Sequence, residues 1–360
     1  MSHAGVLSRG IAAAWDMLRR HGWGMLLGVS LGVHALVVLC FWVRWDRVAL
    51  ITIVPFLFWC VFGLVLAVLS LGCRRTRPGV MVAVLWVLTF TRADELHIWA
   101  NLGTPAPLPA SAGSAPEADG HKTLRLVSFN THLKSLPAAR EVLAWNPDIV
   151  FLQEAPPQSA LEPMARELFG AGALVIHRPD CAILARGRAL QLFDFQWPVP
   201  LPGGVPWAVC ARLTLPDGRT IDLLNVHLLQ AETSARFWTR QAWRDHAENR
   251  RNRRFQLALL LSSHQTATAR LPRVPLIVAG DFNAPAKDGA LFALPGAGFR
   301  DSYTHASGKP GNTFPNNFPI QRIDQCWLSP DLIPLRHGTS RSVHSDHRMV
   351  IVDMLYPAAP

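Results

Sequence analysis

The chain has 360 residues, half of them hydrophobic, with six cysteines and a formal net charge of +10. The cysteines are scattered and form no C-x-x-C pair, which excludes a disulfide framework, a zinc knuckle and a thioredoxin-type site. A mean hydropathy of +0.18 is high for a purely soluble protein, and the excess sits in the first hundred residues.

A membrane region is therefore predicted over 1–100. Trp23–Val43 is apolar apart from Ser30 and His34 and is long enough to cross a bilayer, giving a span at about 23–43. Val48–Leu71 gives a second span, at about 48–71, with Pro55 tolerable inside a membrane helix. A third run covers about 79–99, but Arg92, Asp94 and Glu95 shorten its apolar core. It reads either as a span or as a helix lying on the membrane surface. Arg9, Arg19 and Arg20 precede the first span, and Arg74, Arg75 and Arg77 follow the second. This bias holds the amino terminus and the second loop in the cytoplasm. Three spans then put the remaining chain outside the cytoplasm of a plasma or inner membrane. With two spans it stays inside.

Residues 101–122 are rich in Pro, Ala, Ser and Gly and read as an extended linker. The segment 123–360 is long enough to bury a full core. It carries +6 of the net charge, which favours anionic partners such as phosphate esters or lipid surfaces. Its pattern predicts strands at 124–129 and 149–152, with helices near Pro137–Trp145 and Ser159–Phe169. Strands follow at about 173–176, 181–185, 190–195 and 206–215, and a turn at Pro216–Arg219 leads into strand 220–227. A long helix is expected from about Thr233 to Ser263, then strands at 276–279, 322–328 and 348–354. Mixed α and β with antiparallel pairs in the middle implies two packed sheets covered by helices.

The strand-like runs share one oddity: an acid, amide or imidazole stands at or near an end. Leu124–Phe129 ends in Asn130, Ile149–Leu152 leads to Glu154, and Ile221–Val226 leads to His227. Leu276–Ala279 is followed by Gly280, Asp281, Phe282 and Asn283; on extended backbone Asp281 and Asn283 would project together. Asp324 opens one late strand, and Asp346 with His347 precedes the last. Each alone is ordinary turn or capping chemistry. Together their oxygens suit a hard cation such as Mg²⁺ or Mn²⁺, and a His–Asp pair can activate an attacking water. Nothing in the chain matches G-x-S-x-G, H-E-x-x-H or a P-loop.

The ordered set Ser128-Phe129-Asn130, Gln153-Glu154, Asn225-Val226-His227, Gly280–Asn283, Arg322-Ile323-Asp324 and Ser345-Asp346-His347 resembles the endonuclease/exonuclease/phosphatase superfamily. The resemblance covers about 123–356. It implies a four-layer α/β/β/α sandwich and a phosphoesterase whose substrate is a lipid, a nucleic acid or a small molecule. It also implies metal ligation by Glu154, Asn130 and Asp346, with His347 as base or phosphate-activating imidazole oriented by Asp324. Asp281 would move a proton, and Asn283 and His227 would contact the scissile phosphate. The group that steadies His227 is not evident; Asp180 lies in the right region without an assignment. His132 and His344 read as neighbours of the motifs. A non-catalytic phosphate- or lipid-binding membrane module is the alternative, and no obligatory protein partner is implied. Finally, Arg236, Arg240, Arg244, Arg251 and Arg254 fall within a stripe about 80° wide on an ideal helix. The stripe is either a solvated face or a grip for phosphates or anionic headgroups.

Overall fold

The computed structural model describes residues 22–71, 76–93, 122–196, 207–285, 287–306 and 311–356. The chain divides into two compact units, Met1–Trp99 and Ala100–Pro360. The expected linker, apart from Lys122, lies outside the described residues, as does the 94–99 end of the third apolar run.

The first unit contains α1 (Trp23–Val43), α2 (Ala49–Thr52), α3 (Phe56–Ser70) and α4 (Thr76–Phe90). The second apolar run is not one rod, because its helices bend by 68° at the break before Phe56. Pro55 accounts for the bend: it has no N–H to donate, and its ring crowds the preceding turn. The carbonyl of Ile51 instead accepts the indole N–H of Trp59 at 3.0 Å. Ser30 ties three helices together, donating to the Gly63 carbonyl at 2.8 Å and accepting from Trp86 Nε1 at 3.0 Å. Trp86 packs where a side chain at Gly63 would stand, so α3 and α4 approach closely. By length and composition, one described helix can cross a membrane, or two if the bent pair forms one span.

The second unit has two six-stranded sheets. The first runs β11–β12–β1–β2–β4–β3, from Ile333–Ser340, Met349–Tyr356, Lys122–Asn130, Ile149–Gln153, Cys181–Arg186 and Ala173–His177. The second runs β5–β6–β7–β8–β10–β9, from Arg188–Gln196, Trp207–Thr214, Thr220–His227, Leu276–Asp281, Asp324–Leu328 and Arg300–Asp301. Each sheet has one parallel pair, β1 with β2 and β7 with β8, and its other pairs are antiparallel.

The period of two in the strands builds the layers. Leu124, Leu126, Ile149, Phe151, Ile277 and Ala279 point inward and make the core between the sheets. Their neighbours Val127, Phe129, Val150 and Leu152 point outward, against α5 (Leu136–Arg140) and α6 (Gln158–Phe169). Leu224, Val226, Leu276 and Val278 pack likewise against α7 (Arg240–Thr268). The result is the expected helix–sheet–sheet–helix sandwich.

Several elements differ from expectation, among them α7 and β11. α7 starts at Arg240 rather than Thr233, because Thr239 caps it by accepting from the Ala242 N–H. β11 has no counterpart in the sequence reading. It is an edge strand whose first residues are mostly exposed, with an irregular register between Pro334 and Arg336, so it lacks a clean alternation.

His337 on β11 is 1% exposed and meets Ser302 Oγ through Nδ1 at 2.9 Å. Burial, helped by the Arg322 cation, pushes its pKa down to about 3 against the opposing Asp301. An unfolded imidazole titrates near 6.5, so the unfolded chain holds the extra proton between these values. Stability should therefore fall as pH drops through this window, by up to about 1.4 kcal/mol per pH unit. His337→Gln should flatten that slope between about pH 6 and pH 5, above the pKa of ordinary carboxylates. Urea midpoints of the full chain, read by pulse proteolysis of the 122–356 region, check this.

Candidate active site

The inner faces that form the core end in polar groups at one end of both sheets. On β1 the inward series runs Leu124, Leu126, Ser128, Asn130, and on β7 it runs Ile221, Leu223, Asn225, His227. Registers align these ends: Asn130 pairs with Gln153, His227 with Asp281, and Asp281 with Asp324. Asp346 and His347 immediately precede β12, whose start lies beside the end of β1. The structure thus brings all eight predicted residues to one end of the sandwich.

Below them a polar layer joins the sheets. The Asn225 amide donates to the carbonyls of Leu152 and Ala182, each at 2.9 Å, and its oxygen accepts from Gln153 at 2.7 Å. Above this floor lies Asp281, 1% exposed. Its Oδ1 accepts the Asn283 N–H at 2.8 Å, and its Oδ2 accepts from Asn130 Nδ2 at 3.1 Å. The same Oδ2 lies 3.7 Å from His227 Nε2 and 3.9 Å from His347 Nε2. Each imidazole is held from behind by its own carboxylate. Asp180 meets His227 Nδ1 at 2.5 Å, and Asp324 meets His347 Nδ1 at 2.9 Å. The ring of Phe314 lies against His347, with centroids 4.9 Å apart.

Burial is the largest influence on both rings and lowers their pKa values, but the neighbouring carboxylates outweigh it. His227 rises to about 9, chiefly through Asp180 with Asp281 and Glu154. His347 rises to about 10, chiefly through Asp324 with Asp281 and Asp346. Burial and the Asp324 charge push Asp281 up, against the pull of the two imidazoles. Two imidazoles fixed at Nδ1 present their Nε2 atoms around one carboxylate, an arrangement able to bind an anionic oxygen and to pass a proton.

Glu154 follows β2 in a left-handed conformation, φ 47°, and its Oε2 accepts the Leu133 N–H at 2.6 Å. Asn130 Oδ1 accepts the His132 N–H at 3.0 Å. Asp346 Oδ1 is shut off from solvent without a hydrogen bond, although His132 Nδ1 lies 3.1 Å away. Five carboxylates, Glu154, Asp180, Asp281, Asp324 and Asp346, face His132, His227 and His347. An excess of negative charge therefore remains even with every ring protonated. An oxygen-rich, electronegative donor set, in which Asp346 Oδ1 has no hydrogen bond, fits a hard divalent cation. Ligand atoms of Asp281, Asp324 and His347 also lie within 4.8 Å of one another. In that group His347 Nδ1 is already committed to Asp324, so it forms a hydrogen-bonded relay.

Asn283 departs from the extended geometry expected of it. It stands in a left-handed turn, φ 48°, and its Nδ2 donates to the Leu228 carbonyl at 3.0 Å. Its own carbonyl accepts from Arg253 on α7. Sequence reasoning left Asp180 unassigned and did not find Arg253 or Phe314. His132 is a direct neighbour of Asp346, whereas the His344 amide joins the loop held by Glu141.

A model of the endonuclease/exonuclease/phosphatase family matches residues 127–347, which include every one of these eight groups. The chain belongs to this family. It is 34% identical over 77 residues to the uncharacterized protein YbhP of Escherichia coli, a match covering 20% of this chain and 30% of YbhP. Among solved structures, an endonuclease/exonuclease/phosphatase family protein from Bacteroides thetaiotaomicron shares 18% identity at a TM-score of 0.49. That alignment covers 66% of this chain and 99% of the other. A mannosyl-6-phosphatase from the same organism shares 19% identity at a TM-score of 0.48, covering 65% of this chain and all of the other, 100%. Membership of the endonuclease/exonuclease/phosphatase family makes a phosphoester hydrolase the coarse expectation for this chain.

Asp180→Asn should drop the pKa of His227 from about 9 towards or below the ordinary 6.5, because burial then meets less opposition. Histidine-resolved NMR titration without added metal measures it. An unchanged value would remove Asp180 as the group that raises it.

Proposed function

We propose that the chain is a membrane-anchored, divalent-metal-dependent phosphoesterase that hydrolyses a phosphodiester or phosphomonoester with water. The observation that carries this reading is the convergence of His227 Nε2 and His347 Nε2 on one oxygen of Asp281, at 3.7 and 3.9 Å. Glu154, Asn130 and Asp346 would hold Mg²⁺ or Mn²⁺, which when bound polarises a phosphoryl oxygen and neutralises developing charge. Asp324 fixes His347 so that Nε2 faces the phosphoryl group or the attacking water. Asp180 does the same for His227, which then contacts the scissile phosphate. Asp281, between them, takes or returns the proton of water or leaving group. Asn283 acts on the phosphate side of Asp281 through the turn that its N–H closes on that carboxylate. Substrate selection lies outside this catalytic set.

Membrane attachment is supported by the apolar surface of the first unit. Val29, Leu36, Val65 and Val68 are each about half exposed on α1 and α3, and a lipid environment would cover them. With α1, the bent pair and the third run all crossing, the catalytic unit faces away from the cytoplasm.

The decisive experiment assays the purified full chain on nucleic acids, sphingomyelin, phosphoinositides and simple phosphodiesters, with Mg²⁺ and with chelator. His347→Ala and Asp281→Asn should each lower turnover by at least about 10²-fold in a folded protein. Near-normal turnover in either would sink the assignment. Glu154→Gln should move the Mg²⁺ titration to higher concentration, and an unmoved midpoint would take Glu154 out of the metal shell. For topology, reporters fused after Gly120 should be active only outside the cytoplasm; cytoplasmic activity would reject three spans.

A further inference from the structure

Across the described part of the catalytic unit, four large apolar side chains are more than 70% exposed: Leu133, Trp238, Phe318 and Val343, at 77, 82, 73 and 85%. All four stand on loops that leave or enter the catalytic strand ends. Leu133 follows Asn130, Trp238 lies beyond His227, Phe318 follows Phe314, and Val343 precedes Asp346. Among the less exposed apolar residues, Phe255 lies on α7, while Leu190 and Ile333 belong to the opposite end of the sheets, where Arg188 pairs with Thr214 and Ile333 with Leu355.

Three of the loops are stitched into one surface. Asn316 donates to the carbonyls of Ser342 and Ser345, and Arg341 donates to Asn317 at 2.6 Å, which ties the loop that carries Phe318 to the one that carries Val343. Glu141 Oε1 accepts the N–H groups of Val343 and His344 at 3.1 Å each. His132 and Asp346 join the Leu133 loop to the same rim. That loop holds His132, Leu133 and Lys134 in succession at φ 51°, 52° and 60°. Such conformations are unfavourable by about 1–2 kcal/mol per residue, so Leu133 is held outward against local preference.

The fourth element is a prow. Arg253 of α7 meets the Asn283 carbonyl at the strand ends, while His264 meets Asp222 near the start of β7 at 2.9 Å. The helix therefore points its amino terminus away from the sheets. At about 1.5 Å per residue, Arg240 lies roughly 20 Å past the level of Asn283. At this tip Phe237 and Trp238 are exposed, and Trp243 Nε1 is fixed on the Phe237 carbonyl at 2.8 Å. Arg236, Arg240 and Arg244 are exposed around them, with Glu232 the acidic residue of the loop.

We infer that this rim and prow dock on an anionic phospholipid bilayer. Phe237, Trp238, Leu133, Phe318 and Val343 enter the headgroup–acyl boundary, and Arg236, Arg240 and Arg244 pair with anionic headgroups. Aromatic residues beside arginines also suit single-stranded nucleic acid, which stacks on aromatic rings. Leu133 and Val343 decide between the two, because aliphatic side chains gain from hydrocarbon and offer no face for a base to stack on. Resting on the phosphoesterase reading, the docked site takes a phosphoester presented at headgroup depth by a lipid.

The test uses the full chain in proteoliposomes, with a genetically encoded fluorescent amino acid replacing Trp238, Val343 or Leu190 one at a time. Vesicles contain about 30% phosphatidylglycerol, where surface attraction is substantial, together with nitroxide lipids labelled near the headgroup. Fluorescence at 238 and 343 should blue-shift and be quenched, while that at 190 stays unquenched. Combined Arg236→Gln, Arg240→Gln and Arg244→Gln, or vesicles of phosphatidylcholine alone, should diminish the quenching at 238. Absent quenching at 238 and 343, equal quenching at 190, or a response to single-stranded oligonucleotide in its place overturns the docking. Full quenching in neutral vesicles overturns the role of the arginines. Hydrolysis of a water-soluble phosphodiester by the unsubstituted chain, measured alongside, tests the phosphoesterase reading separately: either result can fail while the other stands.

Discussion

A carboxylate held away from water, Asp281, is the group around which the second unit is organised. A buried charge is costly unless charged or polar partners surround it. Its partners come from both sheets: Asn130 from the first, the Asn283 turn from the second, and imidazoles from β7 and from the approach to β12. Register is therefore under double constraint. A one-residue slip of β8 would set Gly280 or Phe282 where Asp281 faces His227 and would exchange the inner and outer faces of the strand. Gly280 itself holds φ 141°, and a Cβ there would lie 2.0 Å from the Val226 carbonyl oxygen. Only glycine permits that approach of β8 to β7.

The site is the continuation of the core by other means. The inward series on each strand is apolar until its last one or two members, then changes to Ser128, Asn130, Asn225, His227 or Asp281. The Asn225–Gln153 layer divides the two regimes. It satisfies the carbonyls of Leu152 and Ala182, and the one group it leaves buried without a hydrogen bond is Gln153 Oε1. Rigidity of the apolar sandwich thereby becomes rigidity of the histidines.

Much of this was legible in the chain. Alternation along β1, β7 and β8 declares which face each terminal polar residue will share, and six ordered motifs mark the strand ends. What lay hidden has local causes. Asp180 sits in the turn between β3 and β4, where an acidic residue carries no periodic signal, and only the fold brings it to His227. Asn283 looked like a partner of Asp281 on extended backbone, but an Asx turn with positive φ rotated it away. Arg250 and Arg253 share a helix with the exposed arginines. Their burial on Asp288 and the Asn283 carbonyl depends on residues 38 and 30 positions further on. Pro55 was compatible with a continuous helix by composition, and the bend reflects which carbonyl lost its donor. β11 escaped because an edge strand need bury little on either face.

The pairing of β1 with β12 sets a timetable for biosynthesis. β12 is an interior strand, lying between β1 and β11, with Lys122 opposite Tyr356 and Ser128 opposite Val350. Until Met349–Tyr356 leaves the ribosome, one side of β1 has no neighbour and the first sheet is cut in two. A nascent chain in this state exposes an apolar edge to its surroundings, a form suited to chaperone capture. His347 also reaches Asp324 and Asp281 only when that last strand docks. These contacts of His347 are therefore made in one late step, with completion of the sheet.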